Sequence, residues 1–401
     1  MAGKDVRHHL AAFCSFGKQT VLLETRGIPT YINEFWTSKQ RQANSLHEIS
    51  YRACFKPQLP RFFIERLTQP GEVVYDPFMG RGTTLIESAL FGRIPYGCDV
   101  NPLSDILTRP RLNPPRLYEI AHRLSEIDLS TCEHYEHDLE VFYHPETLTA
   151  ICALREYLME RERQSAMDDV DRWIRMVAVN RLTGHSKGFF SVYTLPPNQA
   201  VSIESQRRIN EKLGQVPPKR DVREIILRKS RSLLHDCNEG VRERLASVAP
   251  HARTLTRLSH YTPEIPSESV RLVVTSPPFL DVVDYAQDNW LRCWFCGIDP
   301  QSVPITMAGS VDEWREAMRR VFIELARVLT QDGWIAFEVG EVRGGKVRLE
   351  EVVLQAVQGL PLVPEAIVIN DQRFTKTAHI WGVQNLVKGT NTNRIVLLRR
   401  V

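Results

Sequence analysis

The sequence lacks the long apolar runs of a membrane protein. None of its apolar stretches approaches the roughly 20 residues that span a bilayer, and Met1–His9 is polar where a secretory signal would have an apolar core. The eight cysteines are scattered, and a chain of 401 residues does not need disulfides to build a core. We therefore expect a protein of the reducing cytoplasm that has no membrane partner.

Few cysteine and histidine residues have the spacing of metal ligands. Cys293 and Cys296 are separated by two residues, but they lie in a Trp/Phe-rich run that reads as a helix, and no second pair follows. This context favours two buried helix cysteines over a metal or redox site. Cys132, His134 and His137 form a looser group in an acidic stretch, where metal binding is the weaker alternative. We predict no metal.

The overall charge does not identify a partner. The formal net charge is only +3, with 43% hydrophobic and 25% charged residues, as in an ordinary globular protein. The length predicts either one large domain with an insertion or two domains. Local patterns must therefore indicate the function.

One short strand ends abruptly at two prolines. Residues 272–279 read Leu-Val-Val-Thr-Ser-Pro-Pro-Phe, an apolar β-branched run followed by a stiff loop. The pattern places the Ser276 hydroxyl, two proline units and the Phe279 ring at the carboxyl end of a strand, where α/β sheets bind ligands. A proline-capped strand followed by a core Phe is the alternative.

A glycine-rich loop follows an earlier strand. Residues 72–84 read Glu-Val-Val-Tyr-Asp-Pro-Phe-Met-Gly-Arg-Gly-Thr-Thr and precede an apolar run that predicts a helix over 85–91. Gly80 and Gly82 allow close approach of a ligand to the backbone, and the helix start offers unpaired N–H groups. The loop has neither the G-x-G-x-x-G spacing nor the lysine of a P-loop. Asp76, at the strand end, can accept hydrogen bonds from a cationic or amino-bearing ligand.

The next strand ends in an acid. Ile94–Cys98 predicts a strand that delivers Asp99, about 20 residues after the first loop, a spacing that suits ribose hydroxyls. Asp99 can equally cap a helix, but after a glycine loop ribose binding is favoured.

The strand–helix alternation stops between Asn113 and Pro250. Helical spacing predicts helices over 116–127, 145–164 and 170–182. From 181 to 235 there are eleven Lys/Arg against four Asp/Glu, a local excess of seven positive charges that exceeds that of the whole chain. Residues 184–190, Gly-His-Ser-Lys-Gly-Phe-Phe, add small polar and aromatic side chains. DNA contact is favoured over a solvated helix face.

The alternation then resumes. A strand over 253–258, a helix over 282–295, an amphipathic helix over 313–329, a strand over 334–340, a helix over 349–357 and strands over 365–369 and 394–398 are predicted. The polar loop 375–393 is a second candidate for nucleic-acid contact. Asp284, Tyr285, Asn289 and Trp290 either line a base pocket or serve as core and cap residues.

The two motifs together resemble a known family. The stretch 76–84 resembles the S-adenosylmethionine motif of the amino-group DNA methyltransferases, and Thr-Ser-Pro-Pro-Phe at 275–279 resembles their catalytic motif. Within that family a Ser-Pro-Pro-Tyr or Ser-Pro-Pro-Phe form usually accompanies cytosine N4, and an Asp or Asn form adenine N6. Residues 47–60 resemble the segment that closes over the methionine end of the cofactor, and 313–340 resembles the fifth-strand unit.

The resemblance implies an α/β fold, with a Rossmann-like class I methyltransferase sheet, helices on both faces and a largely helical inserted target-recognition region. The implied divisions are 1–112 with the cofactor half, 113–250 as the insertion and 251–401 as the catalytic half. S-adenosyl-L-methionine is the implied cofactor. Double-stranded DNA is the implied partner, with a restriction endonuclease as a possible second one, in a bacterial or archaeal cytoplasm.

The site residues follow from the matched positions. The catalytic set is Ser276, Pro277, Pro278 and Phe279. The cofactor set is Lys56, Pro57, Asp76, Pro77, Phe78, Gly80, Gly82, Thr83, Thr84 and Asp99. From the local charge, the DNA-binding set is Lys187, Arg207, Arg208, Lys219, Arg220, Arg228 and Lys229.

Two positions depart from the family. The strand before the catalytic loop usually begins with an acid, whereas here it has Arg271. The family often places an acid after the third strand to bind the cofactor's adenine, whereas this region reads Leu-Ser-His-Tyr at 258–261. Ser259, His260 or backbone groups are left for that contact.

The residue types fit direct methylation of an amine. The lone pair of cytosine N4 is conjugated into the ring, and hydrogen bonds to the Ser276 hydroxyl and the Pro277 carbonyl would direct it at the methyl donor, with Phe279 stacked on a flipped base. Methylation at cytosine C5 needs a cysteine nucleophile, typically after proline, and the chain has no Pro-Cys pair. Cytosine N4 is therefore the first hypothesis, adenine N6 the second, and an inactive DNA-binding module the third.

Overall fold

The computed structural model describes residues 3–37, 43–51, 54–194, 200–278, 285–304, 308–342, 347–371 and 392–401. Phe279, Asp284 and most of the loop 375–393 lie outside these residues. No described helix is both long enough and apolar enough to cross a membrane.

The described chain alternates strands and helices, with a helical middle. The strands are β1 (Val21–Thr25), β2 (Ile28–Asn33), β3 (Val73–Asp76), β4 (Ile94–Asp99), β5 (Arg253–Thr256), β6 (Val270–Thr275), β7 (Leu329–Val339), β8 (Glu341–Val342), β9 (Val347–Arg348), β10 (Leu362–Asp371) and β11 (Thr392–Arg400). The α-helices are α1 (Gly3–Ala11), α2 (Gln58–Leu67), α3 (Thr83–Leu90), α4 (Pro102–Leu112), α5 (Leu117–Glu126), α6 (Pro145–Arg163), α7 (Asp169–Val179), α8 (Ile203–Leu213), α9 (Val222–Leu233), α10 (Glu239–Val248), α11 (Tyr285–Cys296), α12 (Val311–Val328) and α13 (Leu349–Ala356).

The main sheet has the order β1-β2-β10-β11-β7-β6-β3-β4-β5. Strands β5, β4, β3, β6 and β7 are parallel, and β11 runs antiparallel to both β7 and β10. The five parallel strands therefore follow the doubly wound order in which the chain builds outward from β3 and then returns to its other side. This is the predicted Rossmann-like α/β fold, and its switch point lies between β3 and β6.

Both faces of the central strand β6 are buried, which explains its largely apolar sequence, whereas the edge strand β5 is half-buried and mostly polar. In β6, Val273 packs into one cluster with Phe322 of α12, while Leu272 and Val274 pack into the opposite cluster with Phe62 of α2. The predicted strand over 272–274 is thus the core of β6.

The N-terminal residues, for which the sequence shows no clear periodicity, form α1 and the hairpin β1–β2. Strand β2 pairs in parallel with β10 and so extends the sheet at its edge. Strand β1 is almost entirely exposed, so it carries no alternating pattern to read. Phe13, Phe35 and Phe62 form a buried aromatic group that fixes this segment, with the Phe13 and Phe35 ring centroids 5.1 Å apart.

Helices α5 to α10 fill the connection between β4 and β5. They share a third apolar cluster in which Trp173 is fully buried and donates from Nε1 to Ser230 Oγ at 2.9 Å. The cluster includes residues of α3 and α4, so the helical region packs on the sheet domain through these two helices. The predicted helices at 116–127, 145–164 and 170–182 correspond to α5, α6 and α7.

The loop from β3 to α3 depends on glycine. Gly82 precedes α3 with φ of +74°, a left-handed conformation, and a Cβ atom there would collide with the side chain of Thr108. Gly71 also has a positive φ, of +84°, but has open space around it.

We expect Gly82→Ala to destabilise the protein more than Gly71→Ala. The second substitution carries only the left-handed backbone cost, about 1–2 kcal/mol, whereas the first adds an overpacking cost of about 1–3 kcal/mol. Urea unfolding of both variants measures the difference. Equal losses would show that Thr108 moves away freely.

Candidate functional site

Two motifs far apart in sequence meet at the switch point. Thr275, at the end of β6, donates from Oγ1 to Asp76 Oδ1 at 2.6 Å, and the Phe78 N–H donates to the same oxygen at 3.1 Å. Thr84 adds a second link, because its hydroxyl donates to the Val274 carbonyl at 3.0 Å. The glycine loop and the proline loop are therefore held together at one edge of the sheet.

Asp76 lies inside the protein. Its side chain is 1% exposed, and burial raises its pKa to about 7, against the opposing effect of the hydrogen bonds from Thr275 and Phe78. The hydrogen bond that Asp76 accepts from Thr275, which the sequence did not indicate, joins the two motifs. Contact with a cofactor stays a prediction.

Asp99 anchors the glycine loop. Its Oδ2 accepts from the Gly80 N–H at 2.8 Å, and its Oδ1 accepts from the Asn101 N–H at 2.9 Å. Burial raises the pKa of this carboxyl. Asn101 rather than Asp99 caps α4, since its side chain accepts from the Leu103 N–H. Asp99 is half-buried at the crevice, and its role with ribose stays a prediction.

The other predicted cofactor residues divide by exposure. Phe78 and Gly80 are half-buried at the crevice, and Lys56 is exposed just before α2. Pro57, Pro77, Gly82, Thr83 and Thr84 are buried.

Residues 44–51, which we call the cover segment, lie over the glycine loop, and arginine side chains bind their backbone carbonyls. Arg81 donates to the Ile49 carbonyl at 2.8 Å, and the fully buried Arg111 donates to the Leu46 carbonyl at 3.0 Å and to the Arg81 carbonyl. Burial lowers the pKa of Arg111 to about 9. Tyr51 completes the cover, since its Cε1 lies 3.7 Å from the position that a Cβ on Gly80 would take.

His47 fixes the same segment from below. It is buried, and its Nε2 lies 2.8 Å from Glu87 Oε1 on α3, which also pairs with Arg61 of α2 at 3.0 Å. Burial lowers the pKa of His47 in spite of this partner. The described part of residues 47–60 thus lies beside the glycine loop, as its family counterpart would.

The proline loop has a partner that sequence reasoning missed. The Ser276 hydroxyl lies close enough to the carboxylate of Glu338 on β7 to oppose the rise of its pKa, and Asn393 Nδ2 donates to the same carboxylate. The register explains the contact, because Thr275 pairs with Phe337 and the next residues along the two parallel strands are Ser276 and Glu338. Glu338 is 8% exposed, and burial raises its pKa. Its only sequence signal is a single acid in an apolar strand.

The two prolines differ in their carbonyl partners. Trp314 of α12 donates from Nε1 to the Pro278 carbonyl at 3.0 Å, which fixes the loop. Among the residues that the structure describes, none donates to the Pro277 carbonyl. The fourth member of the predicted catalytic set, Phe279, lies outside the described residues.

The predicted DNA-binding residues all lie in the helical region between β4 and β5. Lys187, Arg207, Arg208, Lys219 and Arg228 are exposed, while Arg220 and Lys229 are half-buried. Lys219 already pairs with Glu146. Arg223, counted in the basic excess, donates to the carbonyls of Leu124 and Ile127 at the end of α5. Fewer cations are therefore available to contact DNA than the charge count implies, and the DNA-binding surface stays a prediction.

The described structure includes the residues for which the sequence left other roles open. Cys293 and Cys296 are buried on α11, and burial raises the pKa of both thiols. Within the described ranges, no three His, Cys, Asp or Glu side chains gather as metal ligands. Trp290 donates to the Ala200 carbonyl at 3.2 Å and packs on the insertion cluster, which is a structural role. After β5, Ser259 is buried and His260 is exposed.

The raised pKa of Asp76 makes a prediction about stability. In the unfolded chain this carboxyl has an ordinary pKa of 3.8, so between about pH 4 and 7 the folded state holds a proton that the unfolded state releases. Folding stability should therefore fall as the pH rises through this window, by up to about 4 kcal/mol.

Asp76→Asn provides the measurement. The amide oxygen can still accept from Thr275 and Phe78, but it does not titrate. The difference in unfolding free energy between the variant and the native protein should grow in favour of the variant from about pH 4 to about pH 7 and then level off. A difference that is constant with pH would contradict the assigned protonation.

Comparisons with known proteins agree with the motifs. The N6/N4 DNA methylase family model matches residues 17–104. The Type II methyltransferase M.MvaI of Kocuria varians is 34% identical over 97 residues, which cover 23% of this chain and 20% of the relative. The Type II methyltransferase M.BsoBI of Geobacillus stearothermophilus is 22% identical over 287 residues, covering 65% of this chain and 55% of the relative.

The chain thus spans at most 55% of the length of these two relatives. A solved geranyl diphosphate C-methyltransferase from Streptomyces coelicolor superposes with a TM-score of 0.35 and 10% identity over 85% of this chain and 79% of that one. Because that score is too low to support a conclusion, the fold assignment rests on the strand order. Through the family model over residues 17–104 and the two motifs that meet at the switch point, the chain is similar to the N6/N4 family of DNA methyltransferases.

Proposed function

We propose that the protein transfers a methyl group from S-adenosylmethionine to the exocyclic N4 amine of a cytosine flipped out of double-stranded DNA. The observation that carries the proposal is the Thr275–Asp76 hydrogen bond, which joins the two motifs and places the Ser276 hydroxyl beside Glu338. The family assignment supplies DNA and the cofactor, and the Ser-Pro-Pro-Phe form favours cytosine N4 over adenine N6.

The crevice fits the cofactor. The positive φ of Gly80, +48°, and the absence of a side chain there leave the loop open beside Tyr51, while Asp99 holds the Gly80 N–H. Phe78, Gly80, Asp99 and the cover segment 44–51 would hold the cofactor. When bound, S-adenosylmethionine supplies an electrophilic methyl group carried by a sulfonium.

Ser276 would act as a hydrogen-bond acceptor. A hydroxyl has one proton, and here Glu338 takes it, so the lone pairs of Oγ remain for an incoming N–H. The Pro277 carbonyl is a second acceptor on the same loop, whereas the Pro278 carbonyl is bound by Trp314. Two acceptors aimed at one amine would turn its lone pair away from the ring and toward the methyl group.

The same network provides a path for the proton that the methylated nitrogen must lose. As that nitrogen gives a proton to Ser276 Oγ, Ser276 can give its own proton to Glu338. The ionised form of Glu338 is required for this step. A buried site without bulk water makes such hydrogen bonds worth more than they are in solution.

The names of the curated relatives suggest a cellular setting. Both are called Type II methyltransferases, so we propose that this protein is the modification component of a restriction–modification system. A companion endonuclease that cuts the same unmodified DNA sequence is the implied partner.

The product test separates the candidate activities. The full chain is incubated with methyl-labelled S-adenosylmethionine and duplex DNA of mixed sequence, and the DNA is digested to nucleosides. We expect label in N4-methylcytosine. Label in N6-methyladenine would overturn the choice of base, and no label in DNA that contains every short sequence would favour an inactive binding module.

Ser276→Ala and Glu338→Gln should both slow methyl transfer. We expect kcat to fall about 100-fold or more for Ser276→Ala, comparable to the loss of one preorganised polar group, with the cofactor Kd near normal. In Glu338→Gln the amide can still accept from Ser276 but cannot take its proton. Since burial raises the pKa of Glu338, the native kcat should rise with pH through that pKa, and the variant should lose this rise.

Glu324→Gln is the matched control. Glu324 is also 8% exposed, but it binds Thr262 and Arg327 away from the two motifs. It should lower stability and leave kcat and its pH profile unchanged. A native pH profile in Glu338→Gln would remove Glu338 from the proposed proton path.

A further inference from the structure

Four positively charged side chains come together beside the C-terminal end of α7, and Lys187 is joined to them through its backbone carbonyl. This group, which we call the basic cluster, consists of Arg181, Lys187, Arg228, Lys229 and Arg292. Arg228 Nη2 donates to the Lys187 carbonyl at 3.0 Å. The charges of Arg292 and Arg228 are close enough to lower the pKa of Arg181, and Arg181 in turn lowers that of Lys229.

Three of these cations are held in place by packing. The Arg181 guanidinium lies 4.0 Å from the centre of the Phe189 ring, and its Nε donates to the Asn180 carbonyl at 2.7 Å. Arg292 is buried and donates to Asn289 and to the Ser50 carbonyl. The Lys229 side chain is only 13% exposed. They are therefore preorganised, unlike surface lysines that move freely in solvent.

The charges of Arg181, Arg228 and Lys229 are poorly balanced. Among the described residues, the ion pairs of these three are the distant contacts of Lys229 with Glu48 at 3.8 Å and of Arg228 with Glu224 at 3.6 Å. Arg292 does not contribute to this imbalance, because the charge of Asp288 on the same helix acts on it. The side chains of Glu48 and Glu224 are 59% and 70% exposed, so water screens them. Burial and neighbouring cations lower the pKa of Arg181 to about 10 and that of Lys229 to about 8.

Cations elsewhere in the same helical region are neutralised. Arg123 and Arg161 both bind the fully buried Asp171, and both lie within ion-pair distance of Asp168. Holding several half-buried cations together without such acids is unfavourable. The basic cluster has the composition of a site that is completed by an anion from outside the protein.

The basic cluster lies next to the cover of the glycine loop. The Ser50 N–H donates to Asn180 Oδ1 at 2.8 Å, which ties the cover segment to the residue before Arg181. Arg292 lies 5.9 Å from the centre of the Tyr51 ring, the same ring that stands beside Gly80. An anion bound here would therefore be close to the crevice in which the target base is proposed to react.

A flipped base turns about its own backbone, so an enzyme that extracts a base must hold the strand near that base. We propose that Arg181 and Lys229, assisted by Arg228 and Lys187, bind a backbone phosphate of the DNA strand that carries the target base. The site rests on the proposed function for the nature of its ligand. Its role is to position the strand, and it carries no sequence information.

Lys229→Met tests this site against Arg231→Met. Both substitutions remove one positive charge from α9, but Arg231 faces a separate groove lined by Tyr118 and Cys237. Binding of the full chain to a fluorescent random-sequence DNA duplex of about 30 base pairs is measured by anisotropy over a range of NaCl concentrations. S-adenosylhomocysteine is present at saturation.

We expect Lys229→Met to weaken DNA binding about tenfold at low salt and to reduce the slope of log K against log salt by about 0.9, the value for one lost phosphate contact. Arg231→Met should leave the slope unchanged, and Lys229→Arg should keep native binding because it keeps the charge. Unchanged affinity for S-adenosylhomocysteine verifies that the site of each variant is folded.

Equal changes in slope for Lys229→Met and Arg231→Met would overturn the inference, because they would reflect net charge alone. No change for either variant would also overturn it. Failure of the proposed function would look different, since the native protein itself would then show no salt-dependent binding to DNA and no labelled nucleoside.

Discussion

The contact between Thr275 and Asp76 is the constraint on which the rest of the site depends. It closes the switch point by joining the ends of β3 and β6, and Thr84 reinforces it from α3. A buried carboxyl is costly unless it is bonded or neutral, and Asp76 is both bonded and, with its pKa near 7, partly protonated at neutral pH. The glycine loop and the proline loop are separated by almost 200 residues, so this contact joins two parts of the chain that only the sheet brings together.

Local sequence patterns predicted the units whose signals are local. The strand–loop–helix at 72–91 and the long helix beginning at Pro145 were visible because apolar spacing and punctuation by proline and glycine are contained within each unit. The hairpin β1–β2 was not visible. Its outer strand is exposed and its inner strand belongs to the sheet only through pairing with β10, more than 300 residues away. Pairing between strands so far apart in the chain produces no pattern in the local sequence of β2.

The candidate site shows the same division. Ser276 was predicted because the residues around it form a motif, whereas Glu338 is a single acid in an apolar strand. The position of Glu338 beside the Ser276 hydroxyl depends on the register between β6 and β7. In the proposed mechanism this contact leaves the lone pairs of Ser276 Oγ available to accept from an amine. Arg111 is a comparable case, since nothing in its local sequence shows that it binds carbonyls of the cover segment and the glycine loop.

The sequence does not show which basic side chains are neutralised by partners in the folded protein. A count of basic residues treats Arg223, which caps α5 through carbonyl contacts, in the same way as Arg181, which lacks an acid partner among the described residues. The count also omits Arg292, which reaches the basic cluster from α11. What separates these arginines is whether the fold supplies a carboxylate or a carbonyl, as it does for Arg123 with Asp168 and Asp171. A fold that neutralises Arg123 but leaves Arg181 and Lys229 poorly balanced near the glycine loop accepts a cost in the free protein that binding of the proposed phosphate would recover.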